Sequence, residues 1–173
     1  MKAGQGKAKG SGYEREVGAK LSLWLSHGQR KDLICRTVGS GAQFTTAAKK
    51  SISAGHAGDL MSQGPSSYDF FSKYICECKF WKDLKFLQFL SGKGELYKAM
   101  IKVQREAKSV NKRWWLVTRQ NHQKDILLME RKIITSALPT DSCPMYHGLF
   151  CGTVIMWYLD EFLKNVNPER YLE

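Results

Sequence analysis

No apolar run in this chain of 173 residues approaches the ~18 residues that a membrane-spanning helix needs. The Met1-Lys2 start lacks the apolar core of a secretory signal. Acids are scarce: 16 Asp plus Glu stand against 27 Lys plus Arg, a formal net charge of +11. That imbalance points to a polyanionic partner, because each cation set against a phosphate releases condensed counterions. An anionic membrane surface is the rival partner, and without a spanning run the chain is read as having none.

Zinc-type spacing is also missing. Cysteines stand at 35, 76, 78, 143 and 151, an odd number that argues for free thiols in a reducing, cytoplasmic setting. Cys76-x-Cys78 is too tight for a zinc pair, and no second Cys/His pair stands at ligand spacing. The thiols are read as small buried side chains. The length allows one domain with a proper core and makes a second unlikely. Residues 1–10, rich in Gly and Lys, read as a flexible basic arm or a disordered terminus, and 11–173 as a single domain.

Against this background, one triplet is out of place. Glu77-Cys78-Lys79 sits in the strand-like run Tyr74-Ile75-Cys76-Glu77-Cys78-Lys79-Phe80. Strand alternation points Glu77 and Lys79 one way and Cys76, Cys78 and Phe80 the other. Burying two charges is costly unless they pair or bind a metal. A polar pair on an edge strand is the plain alternative.

Other carboxylates bear on the choice. A helix is expected from Gly12 to His27, closed by Gly28, with Tyr13, Val17, Leu21, Trp24 and Leu25 as its core stripe. At about 100° per residue, Glu14 falls roughly 50° from the centre of that stripe and Glu16 roughly 110° away. Glu16 is then placed to pair with Lys20 on the solvent side. Both acids also suit a helix start through the macrodipole. A strand over 33–38 leads to Gly39-Ser40-Gly41, and a long irregular stretch over 42–58 carries Lys49, Lys50 and His56. Asp59-Leu60-Met61, a turn-rich segment and the E-C-K strand read as a hairpin with a long turn, which sets Asp59 beside Glu77. An Asp before a turn is also an ordinary turn residue.

Further along, a basic helix over 95–110 presents Leu96, Met100, Val103 and Ala107 as its apolar face, with Gln104 beside it. Strands are expected over 113–119 and 125–130, then a strand over 149–154 and a closing helix over 157–166.

Lys9-Gly10-Ser11-Gly12-Tyr13-Glu14-Arg15-Glu16, Arg36-Thr37-Val38-Gly39-Ser40-Gly41, Gly58-Asp59-Leu60 and Glu77-Cys78-Lys79, in that order, resemble the PD-(D/E)xK nucleases. The likeness is nearest to Holliday junction resolvases of the archaeal and phage type. It covers residues 9–80 by motif and runs on through Gln104 and the 114–119 strand by element order. It implies an α/β fold: a restriction-endonuclease-like core with a mixed central sheet flanked by helices. It also implies a homodimer, because a four-way junction needs two symmetric cuts, and a phage protein working in the host cytoplasm is one expectation. Gly58 stands where the family has proline, and the segment between Gly41 and Asp59 is longer than in the compact archaeal enzymes.

The resemblance also assigns roles. Glu14, Asp59 and Glu77, with the backbone carbonyl of Cys78, would hold Mg²⁺, one ion or two, with Mn²⁺ able to substitute. Oxygen ligands suit such a hard cation, which polarises the phosphate and acidifies water. Lys79 would orient the water or stabilise developing charge. Lys9, Arg36, Ser40, Lys49, Lys50 and Gln104 would touch DNA or brace the site. His56 reads as a surface residue or phosphate contact. Lys82, Lys85 and Lys93 would add phosphate contacts, while Trp81, Phe86 and Phe89 read as packing, with stacking or a dimer interface as the alternatives. Two rivals stand beside the resolvase: a restriction- or repair-type nuclease on linear or flap DNA, and a non-catalytic nucleic-acid-binding module.

Overall fold

The computed structural model describes residues 5–37, 57–130, 146–147 and 154–173. Ser40, Lys49, Lys50, His56, Cys143 and Cys151 lie outside the described residues, as does most of the strand expected over 149–154.

The first helix, α1 (Gln5–Leu25), begins inside the stretch expected to be an arm. Tertiary contact accounts for the added turns: Lys9 Nζ bonds Asn121 Oδ1 and lies 3.9 Å above the Phe80 ring. Every member of the expected stripe is buried, Val17 and Leu21 completely. Gly28, at φ +85°, follows the helix in the left-handed conformation that glycine adopts without strain.

Strands β1 (Ile34–Arg36) and β2 (Leu60–Ser62) pair antiparallel as a small ribbon. The expected hairpin from β2 into the E-C-K strand is not formed. The Ser-rich connection is instead helix α2 (Pro65–Lys73), with Pro65 at its first position, where proline's fixed φ and missing N–H suit a helix start. It leads directly into β3 (Tyr74–Trp81).

After β3 come the short helix α3 (Phe86–Leu90) and the long crossover α4 (Gly94–Ser109). Strand β4 (Arg113–Gln120) then lies parallel to β3. β5 (Ile126–Glu130), β6 (Tyr146–His147) and β7 (Val154–Tyr158) complete an order of β3-β4-β5-β7-β6, with every other pairing antiparallel. Helices α5 (Leu159–Asn165) and α6 (Pro168–Leu172) close the chain. The fold is thus α/β, with a mixed central sheet flanked by helices.

Two cores lie on opposite faces of that sheet. Cys76, Cys78, Trp115 and Val117 pack with α1, α5 and α6, whereas Ile75, Trp114 and Leu116 pack with α4. Trp115 anchors the first core, with Phe70, Phe162 and Tyr171 rings 5.0, 5.3 and 5.6 Å away. Its indole donates to Tyr171 Oη at 2.8 Å, so the ring is buried with its polar atom satisfied. Strand alternation therefore places Glu77 and Lys79 on the α4 side of β3.

Candidate active site

The site is built on the β2–β3 junction. Asp59 precedes β2, and its N–H donates to the Cys76 carbonyl at 2.8 Å while its own carbonyl accepts from Thr37 N–H at 2.9 Å. Gly58 makes this approach possible. It lies at φ +89°, and a Cβ there would stand 2.7 Å from the Cys76 carbonyl oxygen. Proline, the family's residue, is locked near φ −65° and does not fit this conformation.

Asp59 Oδ2 accepts from the Cys78 N–H at 2.9 Å. Lys79 Nζ stands 2.6 Å from Glu77 Oε1, 3.4 Å from Asp59 Oδ2 and 3.3 Å from the Cys78 carbonyl oxygen. Asp59 and Glu77 are 3% and 2% exposed. Three oxygens from a loop and a strand thus converge on one cation. All are hard donors of the kind that suits a Mg²⁺-like ion, and the Lys79 ammonium stands in for positive charge among them. Among the described residues no three His, Cys, Asp or Glu side chains stand together as a cage. Two carboxylates and a carbonyl are what the described residues offer around Lys79, a set that leaves places for water and phosphate.

The electrostatics are uneven. Burial, and then the Glu77 charge, push the Asp59 carboxyl up to about 6, with Glu14 adding to the rise and Lys79 and the Cys78 N–H opposing it. Burial also acts on Glu77, but Lys79 and Lys102 outweigh it and hold that carboxyl below its usual range. Burial opposes the Lys79 charge, yet Glu77 and Asp59 keep it firmly protonated.

Glu14 is buried, as its place on the wheel implied. Its Oε2 accepts from Arg36 Nε at 2.6 Å, so the structure brings Glu14 and Arg36 together and sets Glu14 within electrostatic reach of Asp59. Glu16 pairs with Arg119 rather than Lys20. Lys20 is taken by Asp125, just ahead of β5, and by Asp160, in the first turn of α5.

Gln104 is half-buried on α4, about 70° from the centre of the helix's apolar stripe on the flank away from Glu77. The other flank carries Lys102 and Glu106. Lys102 Nζ lies 3.2 Å from Glu77 Oε1 and 3.4 Å from Glu106 Oε1. Sequence reasoning missed Lys102. The signal available was a long cationic side chain on the helix that must cross back over the E-x-K strand. Lys9 and Arg36, both expected at DNA, have protein partners here in Asn121, Phe80 and Glu14. Trp81 donates to Thr118 Oγ1 at 2.7 Å and Phe89 is buried, so both pack, while Phe86 is partly exposed.

A buried carboxylate pair with its lysine, set just ahead of β2 and within β3 of a mixed sheet, defines a nuclease of the PD-(D/E)xK class. The model of one family, described as phage putative PDDEXK endonuclease, matches residues 5–173, and the chain belongs to that family. Neither a curated protein nor a solved structure matches it. Among the described residues no helix is long and apolar enough to cross a membrane.

Proposed function

We infer that the protein is a Mg²⁺-dependent endodeoxyribonuclease that resolves four-way DNA junctions as a homodimer, in the cytoplasm of a phage host. The observation that carries the nuclease chemistry is the ring of Glu77 Oε1, Cys78 O and Asp59 Oδ2 around the Lys79 ammonium. Asp59, Glu77 and the Cys78 carbonyl would hold the ion, with Mn²⁺ as a substitute. Bound there, it supplies Lewis-acid polarisation of the phosphate and a more acidic water. Lys79 positions the attacking water and faces the charge that develops on phosphate oxygens. Glu14 raises the negative field at Asp59 and pairs with Arg36. Arg36, with Lys9, Ser40, Lys49, Lys50 and Gln104, is assigned to DNA.

Junction specificity rests on the K-G-x-x-Y-E-R-E and R-T-V-G-S-G motifs and on their resemblance to resolvases. The test is cleavage of labelled four-way junction, flap, single-stranded and linear duplex DNA, each with Mg²⁺ and with EDTA. Paired symmetric nicks confined to the junction are expected. Preferred cutting of linear or flap DNA would replace the resolvase by a restriction- or repair-type enzyme. No metal-dependent cleavage of any substrate would leave a binding module.

A further inference from the structure

Helix α4 carries more cationic side chains than its packing uses. Leu96, Ala99, Met100, Val103 and Ala107 face the sheet. On the opposite side Tyr97, Lys98, Ile101, Lys102, Arg105 and Glu106 line an open groove of about 400 Å³. Lys98, Lys102 and Arg105 follow one another at i, i+4 and i+7, on one line of the helix surface. At 1.5 Å per residue that line is about 10 Å long, enough to face two neighbouring phosphates of one strand.

This charge is only partly neutralised, since Glu106, which also lines the groove, lies 3.4 Å from Lys102 and Glu95 reaches Lys98. Lys98 pairs with Glu95 at 2.7 Å, but both side chains are largely exposed, and such pairs are weak. Arg105 has no ion pair among the described residues. Lys102 joins the groove to the candidate site, since it reaches the same Glu77 Oε1 that Lys79 already holds at 2.6 Å. Glu77 therefore has two ammonium groups on one oxygen, and Lys102, about half exposed, is the one free to turn outward. A merely solvated face would not need this continuity with the buried carboxylates.

We propose that the α4 groove binds the sugar-phosphate backbone of the DNA strand that enters the cleavage site. Lys98 and Arg105 hold phosphates, and Lys102 exchanges Glu77 for the phosphate nearest the cut. The proposal rests on the nuclease reading and adds the path of the strand to it.

The test compares salt-dependent binding of a fluorescent four-way junction by Asp59→Asn protein with that by the same protein carrying Lys98→Gln and Arg105→Gln. Both added changes are on exposed helix positions, and circular dichroism checks the fold. A matched control carries Lys31→Gln and Lys164→Gln. Loss of two phosphate contacts makes the log–log salt slope shallower by about 2 and weakens binding at least roughly ten-fold at about 0.1 M salt, while the control stays within about two-fold of its parent. In the Asp59-intact enzyme, Lys102→Gln raises KM for the junction. Equal slopes and affinities for the α4 variant and its parent would overturn the groove and leave the nuclease reading intact. A parent that binds no DNA at low salt would overturn both.

Discussion

Lys79 Nζ lies 2.6 Å from Glu77 Oε1, two residues away on one face of β3, and the same oxygen accepts Lys102 at 3.2 Å. Glu77 is 2% exposed, so its charge depends on these two neighbours. Removing one partner of a buried ion pair ordinarily costs about 3–5 kcal/mol. Here Lys102 remains, and Lys79→Met is expected to cost less, about 1–2 kcal/mol. Its cleavage rate falls about 10²- to 10³-fold, the usual loss when a preorganised donor facing developing charge is removed, with junction affinity nearly unchanged. Lys79→Arg recovers little, because a planar fork does not replace a compact ammonium among three oxygens. Single-turnover cleavage alongside urea unfolding separates the two effects.

Asp59 makes the converse case. Its folded carboxyl is pushed up to about 6 from 3.8, first by burial and then by Glu77. Because the folded state holds this proton more tightly than the unfolded chain, stability falls as pH rises between about 4 and 6 and stays lower above that range. The cost of ionised Asp59 is at most about 3 kcal/mol. Asp59→Asn keeps an oxygen for the Cys78 N–H and removes the charge. It is expected to melt a few degrees above wild type near pH 7.5 and level with it near pH 4, while losing cleavage. Added Mg²⁺ should raise the wild-type melting temperature near pH 7.5 by mass action and leave the variant's unchanged. Melting curves across pH, with and without Mg²⁺, check all of this.

These residues differ in how far they could be read from the chain. The stripe from Tyr13 to Leu25 and the shared face of Glu77 and Lys79 are set by helix and strand periods, which operate over a few residues. Asp59 was legible through its motif, but the route was not: Ser66, Ser67 and Gly64 looked like a turn, while Pro65 was a helix-start signal. Lys102 meets Glu77 across 25 positions, and Asp125 meets Tyr13 across 112. Such contacts depend on how α4 and α1 lie on opposite faces of the sheet, which no local pattern encodes. Gln104 lies on the flank of α4 opposite Lys102 and Glu106, and the wheel could not tell the two flanks apart.

Gly58 offers a test that touches no charged group. At φ +89° a side chain is already strained, and its Cβ would sit 2.7 Å from the Cys76 carbonyl oxygen and 3.1 Å from the Cys76 nitrogen. Both are backbone atoms of strand β3, held in the sheet by β4, and cannot yield cheaply. Gly58→Ala is therefore expected to lose about 1–3 kcal/mol of stability. Cleavage should fall further than the folded fraction does, because the Asp59 N–H bond to Cys76 at 2.8 Å is what seats the carboxylate. Gly58→Pro, despite restoring the family's residue, should be worse than Gly58→Ala. Specific activity per folded molecule, compared with the unfolding midpoint, decides it.

Asp125 ties α1 to the sheet from the other side. Its oxygens accept Arg119 Nε at 2.6 Å and Nη2 at 2.8 Å, Lys20 Nζ at 2.8 Å and Tyr13 Oη at 3.0 Å. The side chain is fully buried. Burial would raise its carboxyl, but the Arg119 and Lys20 bonds prevail and hold it below the usual range. The stability it contributes is therefore present above about pH 4 and is lost as pH falls through the lower folded value. Asp125→Ala leaves Arg119 and Lys20 facing a void, with only Glu16 and Asp160 at the rim, and should cost about 3–5 kcal/mol. Asp125→Asn keeps the shape without the charge and should cost less while flattening the acid limb of the stability curve. Because Tyr13 precedes Glu14 on α1, loosening this clamp should also disturb the Glu14–Arg36 pair and lower cleavage in the folded Asn variant. Acid titrations of both variants, read beside their cleavage rates under fully folded conditions, test the clamp: an unchanged acid limb in Asp125→Asn would refute it.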